Sequence, residues 1–132
     1  MSRRSTSRLR VRYAETDQMG LAWHGNYLAW FEVGRTDLLR QTGLTYREIE
    51  EQGLKLPVIA AEARYLRPAR YDDELEVDTE VGSLEGARVR FLYRVRRAGE
   101  EPPLATGATE HALVDGTGRP RRLPEDLRRR LS

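Results

Sequence analysis

The sequence predicts an α+β fold in which one long, largely enclosed helix is wrapped by a single curved antiparallel sheet of five strands. Three observations predict it. An alternating run, Leu9-Arg10-Val11-Arg12-Tyr13, reads as a half-buried strand. A long segment with helical apolar periodicity, Tyr27 to Thr42, follows it. Beyond Pro57 the apolar stretches are short, alternating and punctuated by turn residues, which gives four more strands. One enclosed helix with one sheet curved around it is the economical packing for that order.

The chain has 132 residues, the size of one domain, and is read as a single domain over 1–132 without internal repeats. Met1 to Arg8 is basic and no apolar stretch follows, so it is not a secretory signal; residues 1–7 are expected to be a short mobile tail. Leu9, Val11 and Tyr13 then alternate with Arg8, Arg10 and Arg12 to give the first strand. The helix is expected to start between His24 and Tyr27, with Asn26 as its N-cap. Tyr27, Leu28, Phe31, Leu38 and Leu39 supply a wide apolar face that Trp30 and Val33 widen further. Glu32, Arg35, Arg40 and Gln41 leave a narrow polar stripe, the pattern of a helix enclosed by its surroundings. Gly34 in its middle costs about 1 kcal/mol against alanine, so another backbone is expected to pack close there. Gly43 ends the helix.

Thr45 opens a short second helix, with Glu48 at capping-box spacing, running to about Gln52 and closed by Gly53. Val58 to Arg67 is a strand whose Ile59, Ala61, Ala63 and Tyr65 share one face, and Leu66 to Asp73 is its turn. Leu75, Val77, Thr79 and Val81 alternate with Glu74, Glu76, Asp78 and Glu80, and Gly82 to Gly86 turns the chain again. Val89, Phe91, Tyr93 and Val95 alternate with Arg88, Arg90, Arg94 and Arg96, with a beat skipped at Leu92. After a turn at Gly99 to Pro103, Leu104 to Val114 is the last strand, and Pro124 to Leu131 a short terminal helix.

Composition narrows the chemistry. There is no cysteine, which excludes disulfides, thiolate metal sites and cysteine nucleophiles. With only His24 and His111, a histidine-built metal centre is not expected, and no window approaches the roughly 18–20 apolar residues of a bilayer span. The compartment expected by default is the cytoplasm. The pI of 9.2 accompanies a net charge of only +2. Basic residues are nearly all arginine, Lys55 being the sole lysine, and they interleave with acids instead of forming one basic face. Cross-strand ion pairs between the acidic and arginine-rich strands account for most of them.

The chemistry concentrates between the first strand and the long helix. Asp17 would ordinarily be a turn aspartate. Its place just ahead of a helix start, however, sets a carboxylate beside backbone N–H groups that carry partial positive charge. Such groups polarise a carbonyl and hold a developing oxyanion, while a carboxylate attacks that carbonyl or activates water. Together they would make a hydrolytic site for an ester or a thioester, and spacing alone does not separate the two. His24 has three readings: polar wall, donor to substrate, or packing residue at the helix start. Gly25 would let a ligand approach the backbone, and His111 within the last strand reads as structural.

The pattern Arg12-Tyr13-Ala14-Glu15-Thr16-Asp17-Gln18-Met19-Gly20, then His24-Gly25-Asn26-Tyr27-Leu28 and Phe31-Glu32-Val33-Gly34-Arg35, resembles the hotdog-fold acyl-CoA thioesterases of the 4-hydroxybenzoyl-CoA thioesterase type. Tyr65 to Asp73 resembles that family's strand-turn-strand, and the likeness runs from about Leu9 to Val114. It implies a hotdog fold and a homodimer joined edge to edge, with active sites at the dimer interface, and commonly a tetramer. It matches Asp17 to the catalytic carboxylate, nucleophile or general base. His24 and Gly25 match the helix start whose N–H polarises the thioester carbonyl, with the missing side chain at Gly25 leaving the amide accessible. Tyr27, Tyr65 and Arg67 are assigned with Arg88 and Arg90 to substrate and CoA binding, the last two as candidates for the CoA phosphates. Ile59, Leu56 and Trp23 join Tyr65 as candidates for the acyl pocket.

The reading that follows is an acyl-CoA thioesterase that releases a carboxylic acid and CoA, needs no metal or organic cofactor, and neither inserts in a membrane nor binds nucleic acid. Its rivals are a thioesterase acting on an acyl carrier protein, a non-catalytic acyl-CoA-binding hotdog module and, on the pI alone, a nucleic-acid binder. The last would show steep salt dependence of polymer binding and leaves the carboxylate connection unexplained.

Overall fold

A computed structural model describes residues 3–132. Five strands form one antiparallel sheet: β1 (Arg4–Arg10), β2 (Val58–Tyr65), β3 (Glu74–Glu85), β4 (Arg88–Arg97) and β5 (Ala105–Ala112). Their spatial order is β1-β3-β4-β5-β2, so β1 and β2 are the two edges. The long helix α1 (Asn26–Gln41) lies across the inner face, followed by α2 (Tyr46–Glu51); α3 (Glu125–Leu131) closes the chain. This is the α+β hotdog arrangement. Among the described residues no helix is long and apolar enough to cross a membrane.

The alternating strands explain the packing. Leu75, Val77, Val81, Val89, Phe91 and Val95 all point inward and are almost fully buried. Against them α1 lays Tyr27, Trp30, Phe31, Leu38 and Leu39, spaced to share a helix face. Phe31 stacks flat on Tyr93, ring centroids 4.3 Å apart. The Phe31 ring also sits over Gly107, where a side chain would collide with it and with the Glu62 carbonyl. Gly34 meets β3 as expected of a close approach, but through the Thr79 and Val77 side chains and not a backbone.

Several expectations are corrected. The first strand spans Arg4–Arg10, not Leu9 to Tyr13, and Tyr13–Glu15 is a 3₁₀ turn. Residues 4–7 therefore belong to the sheet, and Arg3 is tied down as well, its carbonyl accepting from the Val81 N–H at 3.1 Å; the rest of the mobile tail expected over 1–7 falls on residues 1–2, outside the described residues. The strand was hidden because its inward positions are Ser5 and Ser7, small and polar, yet both are buried. Its outward arginines pair with the acids of β3, Arg4 with Glu80 at 3.0 Å and Arg8 with Glu76 at 3.7 Å. Arg35 is not on the polar stripe of α1: it is 9% exposed and donates from Nε to the Tyr46 hydroxyl at 3.1 Å. Val33 and Leu28 are exposed instead, because the helix face is set by position and Tyr46 and Tyr93 make burial of a guanidinium tolerable.

Asn26 is the first helical residue and Gly25 the N-cap. The turn expected at Gly82 shrinks to Gly86-Ala87, with a bulge between Val81 and Ser83 keeping β3 paired through Glu85. The alternation of β4 runs unbroken, and Leu92 faces outward opposite Ala108. Thr45 caps α2 as expected, accepting from the Glu48 N–H at 3.2 Å, and Gly43 sits beyond α1 at positive φ.

His111 is fully buried in the core. Its Nδ1 lies 3.1 Å from the Leu56 carbonyl and its Nε2 2.8 Å from the Thr109 hydroxyl. A carbonyl only accepts, so Nδ1 carries the proton and Thr109 donates to Nε2. Burial pushes this imidazole down to about 4, only partly offset by the Leu56 carbonyl, and the Arg35 charge adds to the depression. The unfolded chain binds a proton near pH 6.5 that the folded chain refuses, so stability is lost as pH falls below that value and levels off near 4. Urea denaturation is expected to show a loss on the order of 2 kcal/mol between pH 7 and 5. A flat profile over that window would disprove the neutral, buried imidazole.

Candidate active site

Past β1 the chain stays on the sheet at Val11, whose N–H donates to the Asp73 carbonyl at 3.0 Å. The turn then points Glu15 inward beneath α1. The Glu15 carboxylate accepts from the Arg12 N–H at 2.8 Å and from the Trp30 indole N–H at 3.0 Å. The Glu15 carbonyl accepts from the Trp23 N–H at 2.8 Å and from the Asn26 side-chain amide at 2.6 Å. Asn26 thus reaches back to the turn and does not cap its own helix. Burial works to raise the Glu15 pKa, but these hydrogen bonds and the Arg12 charge outweigh it and hold the group below the ordinary carboxylate range.

Residues 16–22 form a tight loop closed by a bridge between Thr16 and Ala22. Gly20, at φ +79°, turns its tip. Within the loop the Asp17 Oδ1 accepts from the Met19 N–H at 2.9 Å and the Leu21 N–H at 3.2 Å. Both bonds fall on one oxygen. Oδ2 accepts none among the described residues, and the carboxylate stands half-buried at the wall of a cleft. The loop is docked by the Ala22 N–H, which donates to the Ala69 carbonyl at 2.8 Å.

At the start of α1 the Asn26 N–H donates to the Trp23 carbonyl at 3.0 Å and the Tyr27 N–H to the His24 carbonyl at 3.4 Å. The Gly25 N–H donates to no protein acceptor among the described residues. The space left by its missing side chain is taken on one side by the Trp23 ring, which any side chain at 25 would strike. The Tyr65 hydroxyl donates to the His24 carbonyl at 3.0 Å. Tyr65 is edge-on to Tyr27 at 5.0 Å, and the Tyr27 hydroxyl in turn accepts from the Ala69 N–H at 3.3 Å.

The cleft, about 330 Å³, brings together Asp17, His24, Tyr27, Tyr65 and Arg67. Gly25 is the next residue along the chain from His24. Arg67 is held by the Pro102 carbonyl at 2.7 Å. Arg88 and Arg90 are elsewhere, on the outward face of β4. Arg90 pairs with Glu62 at 3.0 Å, whereas Arg88 is exposed and has no carboxylate partner among the described residues. Of the acyl-pocket candidates only Tyr65 lines the cleft; Leu56 is in the core, Ile59 lies on the β2 edge and Trp23 covers Gly25. A larger hollow of about 460 Å³ on the outward sheet face is walled by Arg4, Asp78, Glu80 and Arg94, all engaged in ion pairs. Glu15 was missed in the sequence, although it stands three residues after Arg12, the spacing at which a first-turn carboxylate reaches back to an N–H.

The profile of the Thioesterase-like superfamily matches residues 11–131. The chain is 38% identical over 112 residues to the putative acyl-CoA thioesterase YneP of Bacillus subtilis, covering 84% of this chain and 80% of that one. It is similar to the DHNA-CoA thioesterase of Staphylococcus aureus, at 35% identity and TM-score 0.87, covering 91% of this chain and 80% of the other. A 4-hydroxybenzoyl-CoA thioesterase variant with bound 4-hydroxybenzoyl-CoA has the same fold at TM-score 0.91 and 21% identity, covering 99% and 100% of the two chains.

The Glu15 contacts generate a specific expectation. Glu15→Gln replaces one accepting oxygen with an NH₂ that must face the Arg12 N–H or the Trp30 indole N–H, donor against donor. A loss of roughly 1–3 kcal/mol in urea denaturation is expected, and catalytic turnover should fall with it even where the chain remains folded. Unchanged stability and turnover would mean that this carboxylate does not hold the site.

Proposed function

The chain belongs to the thioesterase-like superfamily, and from that premise we propose that it hydrolyses acyl-CoA thioesters at the cleft beside Asp17. The observation that carries this reading is the carboxylate itself. Oδ1 is pinned by two backbone N–H groups, which leaves Oδ2 free at a cleft that starts where α1 starts. A thioester carbonyl seated there would point its oxygen toward the N–H groups at the start of α1, at His24 and Gly25, neither of which has a protein acceptor among the described residues and both of which are strengthened as donors by the helix behind them.

Two routes are compatible with that placement. As a general base, Asp17 takes a proton from water; the hydroxide oxygen adds to the carbonyl carbon, and the tetrahedral intermediate expels the CoA thiolate, which is then protonated. As a nucleophile, Oδ2 attacks the carbonyl carbon directly, the thiolate leaves, and water cleaves the resulting anhydride. Either way one water is consumed and a carboxylic acid and CoA are released, so the reaction calls on no metal or organic cofactor. Tyr27 and Tyr65 would flank the acyl group and Arg67 the start of the CoA arm. Arg88 and Arg90, on the outward face of β4, remain proposed for the CoA phosphates of a neighbouring subunit's site. The water-borne substrate fits a cytoplasmic enzyme.

The proposed assembly is a homodimer formed along β2, and a tetramer built from it. Among the described residues no strand lies beside the outer edge of β2, and Val58, Ile59 and Tyr65 along it are each 46–49% exposed. An unpaired edge with apolar side chains is the surface that a second strand would cover. Sedimentation should return a multiple of 15.2 kDa; a monomer at micromolar concentration would remove the dimer and the shared site with it.

Thiol release from a panel of acyl-CoAs tests the chemistry. Asp17→Asn, which keeps the acceptor for Met19 and Leu21, is expected to lower kcat by roughly 10²-fold or more without unfolding the chain. Full turnover in that variant, or no thiol released by the unaltered chain from any acyl-CoA, would defeat the proposal.

A further inference from the structure

We propose that a second copy of the chain pairs with β2 about a two-fold axis at Ala63, and that the partner's Val58 and the partner's Ile59 then form an apolar wall of each cleft. The inference rests on the dimer and the thioesterase reading proposed above. It assigns the register of the seam and the residues that cross it.

The hydrogen-bonding groups of the edge set the first limit. The Leu66 N–H donates to the Leu104 carbonyl at 2.8 Å, toward β5. Along a strand the direction alternates, so the N–H and C=O groups of Tyr65, Ala63 and Ala61 point to the open edge. A second copy running antiparallel satisfies them. Residues opposite each other in an antiparallel pair share a face, so a two-fold axis perpendicular to the sheet passes beside a residue that faces its own copy. Such an axis also leaves both helices on one side of a continuous sheet.

Charge and size choose among the possible centres. Glu62 and Arg64 lie on the outward face, where Glu62 already meets Arg90 at 3.0 Å and Arg64 has no carboxylate partner among the described residues. An axis at Glu62 or at Arg64 sets like charges opposite each other, which is destabilising. One at Tyr65, at Ala61 or earlier leaves Arg64 with no acid opposite it. An axis at Ala63 places Glu62 opposite the partner's Arg64, and the same pair recurs on the other side of the axis. On the inner face it sets the Tyr65 ring opposite the partner's Ala61, a small residue that is exposed in the single chain.

That register decides what stands at the cleft. Tyr65, Leu66, Arg67 and Pro68 line it, at the C-terminal end of β2 and just beyond. Alongside them comes the opposite end of the partner strand, with the partner's Val58 and the partner's Ile59. Both side chains are half-exposed in the single chain. Val58 pairs with the inward-facing His111, and a bulge before Ala60 takes up Ile59. Val58 therefore lies on the helix side of the sheet, where the cleft opens. Ile59, away from the cleft of its own chain, acts in the other.

The chain has no cysteine, so single cysteines report the register. Facing copies of Ala63 would stand about 5.5 Å apart at Cα, within the span of a disulfide. The two copies of Ala61 would be about 13 Å apart, outside it. Ala63→Cys is expected to oxidise to a covalent dimer and Ala61→Cys to stay uncoupled; the reverse pattern, or coupling at neither position, overturns the register. Val58→Ala/Ile59→Ala should raise KM for the best acyl-CoA roughly 10-fold. Refolded together with Asp17→Asn, this double variant should regain sites of unaltered KM. In the mixed dimer one site takes Asp17 from one chain and Val58 and Ile59 from the other. An unchanged KM in the double variant, or no low-KM sites after mixing, overturns the shared wall. If Asp17→Asn turns over like the unaltered chain, the thioesterase reading fails and takes the shared wall with it, while the coupling pattern still decides the register.

Discussion

Everything at the site hangs from the buried carboxylate of Glu15. A carboxylate taken out of water must be met by donors, and these come from both sides of the connection: the Arg12 N–H and guanidinium before it, and the Trp30 indole from the helix after it. The main chain of the same residue takes Trp23 and Asn26. One residue therefore ties the end of the first strand to the first turn of the helix. The loop that carries Asp17 and the start of α1 cannot drift apart without breaking buried bonds, each costly to leave unmade.

The two faces of the sheet divide the charge. Outward, arginines of β1 and β4 flank the acids of β3, and the best of these pairs is Arg96 with Asp78 at 2.6 Å. That hydrogen bond is the chief reason the Asp78 carboxyl lies below its usual range. The more exposed pairs on this face, such as Arg4 with Glu80, contribute little each, but together the pairs neutralise the arginines locally, so the high pI does not translate into a basic face. Inward, a polar thread crosses the apolar core: Arg35 beside Tyr46 and Tyr93, then Thr109, His111 and the Leu56 carbonyl. Each member supplies what the next lacks, which is the condition under which polar groups survive in a core.

The open edge at β2 connects fold to function. A strand exposed along both faces is poorly defended against association, and this one ends at Tyr65 in the wall of the cleft. Val58 and Ile59 add apolar surface along it. The same strand thus serves as the far wall of the site and as the place where a second copy would attach. In the proposed dimer, assembly and catalysis would share residues.

By itself the sequence determined the order of elements, the enclosed helix and the place of the Asp17 carboxylate between the first strand and that helix. Periodicity reports which face is buried, and Phe31, Leu38, Val77 and Phe91 left no ambiguity. Capping chemistry is local, so Thr45 and Gly43 were legible too. Asp17, His24, Tyr27, Tyr65 and Arg67 were also nameable beforehand, through the motif they belong to. What only the tertiary structure decided were matters of partnership. Ser5 and Ser7 read as a polar tail because nothing local says that β3 lies beside them with acids in register. Arg35 read as solvent-facing because its phenol partners are distant in sequence. Glu15 looked like one acid among many until Trp30, fifteen residues on, was folded back over it. Burial of a polar group is a property of its partners, and partners separated along the chain are chosen by the fold.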